Sequence, residues 1–229
     1  MRQSWTDLHE RWRDPLLTVL TILLALLMFV LAPLRAEKIP GAQEVGFALV
    51  ALVTGAVLIL SGKRFAIWAL LAAILFAAIA AIHRLYQPSI LDVYLDASAW
   101  LLISLALILE VGRAVFGPGR VTYHRVVGAV LLYLAMGLAF AALFAFIGAA
   151  SDSAFSGFVV KDSTSLADVM IYFSFGALTG IGSGDITALH PVARSLVLVE
   201  AMIGQLYPAT LLARIVTLEV EDRGRPPGV

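Results

Sequence analysis

Tyr172-Phe173-Ser174-Phe175-Gly176-Ala177-Leu178-Thr179-Gly180-Ile181-Gly182-Ser183-Gly184-Asp185 is the stretch on which the reading of this 229-residue chain turns. Gly180, Gly182 and Gly184 alternate with Ile181 and Ser183, follow a short amphipathic run and end on an acid. An apolar run of membrane-spanning length, Val192–Leu218, comes directly after. Backbone without regular hydrogen-bond partners is not tolerated against lipid; it occurs at membrane depth only where protein buries it or water bathes it. A glycine-rich strand in this position therefore predicts backbone carbonyls lining a water-filled path.

The rest of the chain supplies the membrane. It is 61% hydrophobic and 14% charged, with a mean hydropathy of +0.94, against about 45–50% apolar and about 25% charged for soluble domains. Sixteen basic and sixteen acidic residues leave a formal net charge of zero, so nothing in the bulk charge points to nucleic acid. With no cysteine, disulfides and thiolate metal sites are excluded. His83, His124 and His190 stand far apart at the ends of apolar runs, and no metal site beyond permeant cations is expected.

A spanning helix needs roughly 20 apolar residues. Six runs approach this: Leu16–Leu34, Val45–Leu60, Phe65–Ile82, Val93–Val111, Val126–Ala149 and Val192–Leu218. The first is read as a span, because its long leader mixes acids and aromatics where a signal peptide is simply basic. Eleven Lys and Arg fall on the side of the N-terminus, and five (Arg35, Lys38, Arg84, Lys161, Arg194) on the other. That asymmetry predicts a multi-pass protein of the cell (inner) membrane with both termini in the cytoplasm.

Four segments follow: an interfacial amphipathic lead-in over 1–14, a four-helix unit over 15–116, a second unit over 121–218 and a short tail over 219–229. Gly117-Pro118-Gly119 marks the boundary. Within the second unit, Ser165 with Asp168 predicts a capping box opening a helix from about Leu166 to Leu178. This helix is too short to cross a bilayer and suits a re-entrant element whose negative C-terminal end faces the glycine strand.

The order of outer helix, short re-entrant helix, glycine strand and inner helix resembles the potassium-channel pore family. That family usually carries Thr-Val-Gly-Tyr-Gly-Asp; here Gly180 stands for the threonine, Ile181 for the valine and Ser183 for the tyrosine, while Gly182, Gly184 and Asp185 match. Thr179 matches the threonine before the filter, and Gly204, nineteen residues past Asp185 (204 minus 185), falls where the family has an inner-helix hinge. The likeness covers about 126–214, and Ile203-Gly204-Gln205-Leu206-Tyr207 with Ala213-Arg214 is similar to the inner helix of bacterial six-span channels.

The resemblance implies an all-α integral membrane protein with six transmembrane helices, a pore helix and a selectivity-filter loop, assembled as a homotetramer in the lipid bilayer. It implies that Gly180, Ile181, Gly182, Ser183 and Gly184 coordinate dehydrated potassium, with sodium as a second permeant ion and no other cofactor. Asp185 would ring the outer mouth. Gln205, Leu212 and Val216 are expected on the cavity and gate face of the last helix, with Gly204 and Pro208 as a hinge. Loss of the threonine hydroxyl and of the tyrosine ring predicts weaker discrimination of potassium from sodium and leaves Tyr172 and Phe173 without the aromatic partner they would otherwise brace. Among Val93–Val115 only Arg113 is basic, so no voltage sensing is expected; Glu110 is placed to pair with Arg113 at i,i+3. Arg194 is read as snorkelling or as a partner of Asp185, and the acid Glu200 as support behind the filter or as a protonated group.

Two other classes compete. One is a non-conducting or regulatory member of the channel family. The other, more remote, is an intramembrane serine protease, since Ile181-Gly182-Ser183-Gly184 approaches Gly-x-Ser-Gly. It lacks the first glycine, and His190 sits in the next loop rather than on a separate span, so an enzyme is not expected.

Overall fold

The computed structural model describes residues 15–60, 64–116 and 123–223. The amphipathic lead-in and the Gly117-Pro118-Gly119 breaker lie outside these, as does the end of the tail. Each of the six apolar runs lies within a helix: α1 Pro15–Ala36, α2 Ala42–Leu60, α3 Arg64–Tyr86, α4 Ile90–Phe116, α5 Tyr123–Ala150 and, last, α7 Pro191–Arg223. Between the last two comes α6, Leu166–Thr179. Among the described residues, five helices are long and apolar enough to cross a membrane; α2, with an apolar stretch of Ala42–Leu58, falls just short.

Local chemistry explains the irregularities. Pro33 has no amide hydrogen, and the turn before it, Leu27–Leu31, is π-helical, with the Ala32 amide donating to the Leu27 carbonyl. The wider turn keeps α1 continuous past the proline. Thr21 and Thr54 turn their hydroxyls back onto the carbonyls four residues earlier, at 2.8 and 2.7 Å, so neither exposes an unpaired polar atom.

α3, α4 and α5 pack in chain order along their lengths, and α6 is wedged between α5 and α7. The first four helices are not set apart by a break in the core, which runs from Leu17 to Ala193. α1 reaches the second unit directly. Leu17 abuts Gly128, and the ring of Phe29 meets that of Phe175 edge-on at 5.2 Å. Phe175 in turn fills the space over Gly137, where an added Cβ would lie 2.5 Å from its ring.

The loop before α6 contains a strand the sequence reading did not anticipate. β1, Phe155–Ser156, pairs antiparallel with β2, Thr187–Ala188, in the register Phe155 to Ala188 and Ser156 to Thr187. The Leu189 and His190 amides donate to the Ala154 carbonyl at 2.8 and 3.1 Å. These bonds tie the chain entering α6 to the chain leaving the glycine strand.

Candidate functional site

α6 begins at Leu166 as expected, but without the capping box. Ser165 is itself helical and makes no side-chain cap; its hydroxyl pairs with that of Ser163 at 3.2 Å. A helical Ser165 cannot aim its oxygen at the free amides, and the shorter Asp168 makes no return bond. Burial, reinforced by the charge of Glu37, raises the Asp168 carboxyl above its usual range.

The other end of α6 builds the site. Gly180 closes the helix in the left-handed conformation (φ 76°), with its amide on the Ala177 carbonyl. Gly182 (φ 76°) and Gly184 (φ 68°) are also left-handed. L-residues with a side chain rarely adopt this region, so the alternation of glycine with Ile181 and Ser183 is what the backbone path requires. A side chain at Gly157 would run into the Asp185 carbonyl at 2.1 Å.

The strand is held at both ends. At its inner end, the Gly182 amide donates to the Gly176 carbonyl at 2.9 Å, and an added Cβ on Gly176 would crowd Ser183 Oγ at 3.1 Å. Gln205 Nε2 of α7 donates to the Thr179 carbonyl at 3.2 Å. The Thr179 hydroxyl is bonded back to the Phe175 carbonyl at 2.6 Å. At the outer end, the Tyr172 hydroxyl lies 2.7 Å from the Ser183 carbonyl and 3.0 Å from Asp185 Oδ1. Its bond to Asp185 raises the Tyr172 phenol above the ordinary tyrosine value.

Tyr172 and Phe173 lack a ring at position 183, as expected, and find other partners. With no ring at Ser183, Tyr172 turns to the strand's own backbone and acid. Phe173 packs edge-on against Phe144 of α5 at 4.9 Å and Phe155 of β1 at 5.2 Å. The hairpin supplies Phe155, which a reading of the pore segment alone had no means of placing there.

Behind α6, Ser174 Oγ lies 2.5 Å from Glu200 Oε1 of α7 and 2.7 Å from the Gly137 carbonyl of α5. Glu200 is fully buried, and its Oε2 has no partner. Gly204 packs against α6: an added Cβ would sit 1.8 Å from the Leu178 carbonyl oxygen. α7 is one unbroken helix through Gly204 and Pro208. Gln205, Pro208, Leu212 and Val216 are all exposed in the single chain.

Three other expected residues settle as follows. Arg113 Nη1 lies 3.4 Å from Glu110 Oε1, the i,i+3 pair foreseen. Arg194 does not reach Asp185; its Nε donates to the Ala188 carbonyl at 3.0 Å and so braces the hairpin. His190 Nδ1 accepts from the Val192 amide at 3.2 Å, and among the described residues no hydrogen bond joins Ser183 to a histidine.

α6 closes on the left-handed Gly180, continues into the left-handed Gly182 and Gly184, and lies between two long apolar helices. Residues 128–221 match the family model described as "Ion channel". That segment, from within α5 through the glycine strand to near the end of α7, resembles an ion-channel domain, which supports a potassium-channel-like family. With its apolar helices it makes the chain a multi-pass membrane protein and supports a cation-channel function. No curated protein and no solved structure matches the chain.

Proposed function

We propose that this chain is the subunit of a homotetrameric, six-span cation channel of the inner membrane, with both termini cytoplasmic. Potassium passes in file along the carbonyls of Gly180, Ile181, Gly182, Ser183 and Gly184, and Asp185 concentrates cations at the outer mouth. The observation that carries this reading is the alternating left-handed backbone at Gly180, Gly182 and Gly184, fixed to α6 at Gly176 and Tyr172. An unpaired apolar surface supports assembly of copies: Ile181 is 85% exposed in the single chain, and Leu198, Met202 and Leu206 of α7 are exposed as well. Gln205, Leu212 and Val216 then face the inner cavity, and Gly204 with Pro208 forms the bending region of α7.

The filter is weakened against sodium. Gly180 offers no hydroxyl at the inner site, and the hydroxyl of Thr179 is taken up by Phe175. Ser183 has no ring to stiffen the outer sites. Those two losses also favour, as the second reading, a non-conducting or regulatory subunit.

One measurement tests both readings: purified protein reconstituted in planar bilayers under asymmetric potassium and sodium. The expected reversal potential lies between zero and the potassium equilibrium potential, and Ser183→Tyr moves it toward the latter. Reversal already at the potassium equilibrium potential overturns the weakened filter. Absence of current from demonstrably tetrameric protein overturns conduction and leaves the regulatory reading.

A further inference from the structure

A cavity of about 270 Å³ opens among α1 to α5 and the first turns of α6. Its inner wall is apolar: Leu27, Leu31, Leu138, Met170 and Ile171 line it, and each is buried. Four charged side chains line it as well: Arg35, Arg84, Asp96 and Asp162. Three of these satisfy one another. Arg84 Nη2 reaches Asp96 Oδ2 at 2.7 Å and Asp162 Oδ1 at 2.8 Å, and its Nε reaches Asp162 Oδ2 at 2.9 Å.

Arg35 is left over. Among the described residues no carboxylate lies within salt-bridge distance of it, and its Nε is fully buried without an acceptor. Its side chain is laid across Gly46, where an added Cβ would meet Cδ at 3.2 Å, and its guanidinium stands 5.8 Å from the Phe47 ring centre. Asp96 acts on it only at longer range and is already held by Arg84.

A buried donor without an acceptor costs about 1–3 kcal/mol, more when charged, and protein interiors hold few voids larger than a water molecule. Small-molecule sites combine these features, being mostly apolar cavities of about 300–1,000 Å³ with a few placed polar groups. The volume here falls just below that range, room for one chain and little more, and the surrounding medium is a bilayer. We propose that the cavity binds one acyl chain ending in an acidic group. The chain lies along Leu27, Leu31 and Leu138 against Met170 and Ile171, and the acidic oxygens accept from Arg35 Nε. The acidic group belongs either to a free long-chain carboxylate or to an anionic phospholipid. The occupant touches α6 at Ile171, next to Tyr172, but its binding stands independently of conduction.

Trp100 also lines this cavity and serves as the reporter. The full chain carrying Trp5→Phe, Trp12→Phe and Trp68→Phe retains Trp100 alone. It is purified in neutral detergent and titrated with a brominated dodecanoic acid, with the methyl ester of that acid, and with brominated phosphatidylglycerol and phosphatidylcholine. Saturable quenching by the acid is expected at pH 8, about tenfold weaker for the ester and for Arg35→Gln, the scale of one charge-assisted hydrogen bond. Saturable quenching by phosphatidylglycerol but not by the acid assigns the headgroup to a diacyl lipid. Equal quenching by acid and ester overturns the proposal, as does an Arg35→Gln affinity equal to the parent's or quenching that never saturates. If Arg35→Gln fails to fold, the acid-against-ester comparison on the parent cavity decides alone.

Discussion

Ser174 Oγ stands 2.5 Å from Glu200 Oε1, and on its other side the carbonyl oxygen of Gly137 is 2.7 Å away. A serine hydroxyl has one proton to donate, and a carbonyl has none. With Glu200 protonated and donating to Ser174, which donates on to Gly137, each contact has a proton of its own. The result is a neutral relay joining α5, α6 and α7 directly behind the glycine strand. Glu200→Gln, which keeps a donor at the same place, should therefore assemble and conduct as the parent does. Glu200→Ala opens a cavity and strands the Ser174 hydroxyl, and should lower stability by about 2–4 kcal/mol. Thermal unfolding in detergent and single-channel current read the two. Loss of conduction in Glu200→Gln would show that the group acts as a charge.

Tyr172 replaces the missing aromatic brace by bonding the backbone of Ser183 and the carboxylate of Asp185. Tyr172→Phe removes the hydroxyl and with it both contacts. It should shift the reversal potential toward zero in asymmetric potassium and sodium without reducing the yield of assembled protein. The phenol is raised, so its contribution is complete below the ordinary tyrosine range and is lost as pH rises through that higher value. Selectivity should accordingly hold from neutral pH through the ordinary tyrosine range and fall only above it, a fall that Tyr172→Phe, already lacking the bond, does not show.

Gly204→Ala drives a methyl group into the Leu178 carbonyl oxygen, 1.8 Å away. Rigid backbone on both sides leaves no room for adjustment, and destabilisation of about 1–3 kcal/mol or more is expected. Gly55, inside α2, is the control: nothing lies within 4 Å of an added Cβ, so Gly55→Ala should stabilise by roughly 0.5–1 kcal/mol. Melting temperatures that move in opposite directions bear out the contrast. Equal shifts would mean that α7 moves freely past α6 at this point.

Arg113 is the one basic residue of α4 and lies 3.4 Å from Glu110 near the helix end. One elementary charge crossing the whole field is worth about 2.3 kcal/mol per 100 mV, and a charge at the edge crosses only part of it. Conductance should vary shallowly with voltage and be unchanged in Arg113→Gln. A steep curve that flattens in this variant contradicts the expectation.

How much of this was legible beforehand follows from the range of each interaction. The apolar runs, the breaks between them and the glycine alternation are properties of neighbours in the chain. They determined by themselves the helices, the short α6 and the place of the strand at its end, because lipid tolerates only self-satisfied backbone and left-handed backbone selects glycine. The family match to 128–221 falls on that same segment.

The partners of those residues were another matter. That Arg194 would turn to Ala188 and Phe155 would leave a loop to cover Phe173 depended on groups six and eighteen residues distant (194 minus 188, 173 minus 155), brought close when the hairpin and the helices around it pack. The same holds for the cavity beside Arg35, whose walls come from six helices, α1 to α6. Composition and periodicity act along the chain and set which segments leave water; hydrogen-bond geometry and close packing act through space, and only the folded arrangement decides which polar atom meets which.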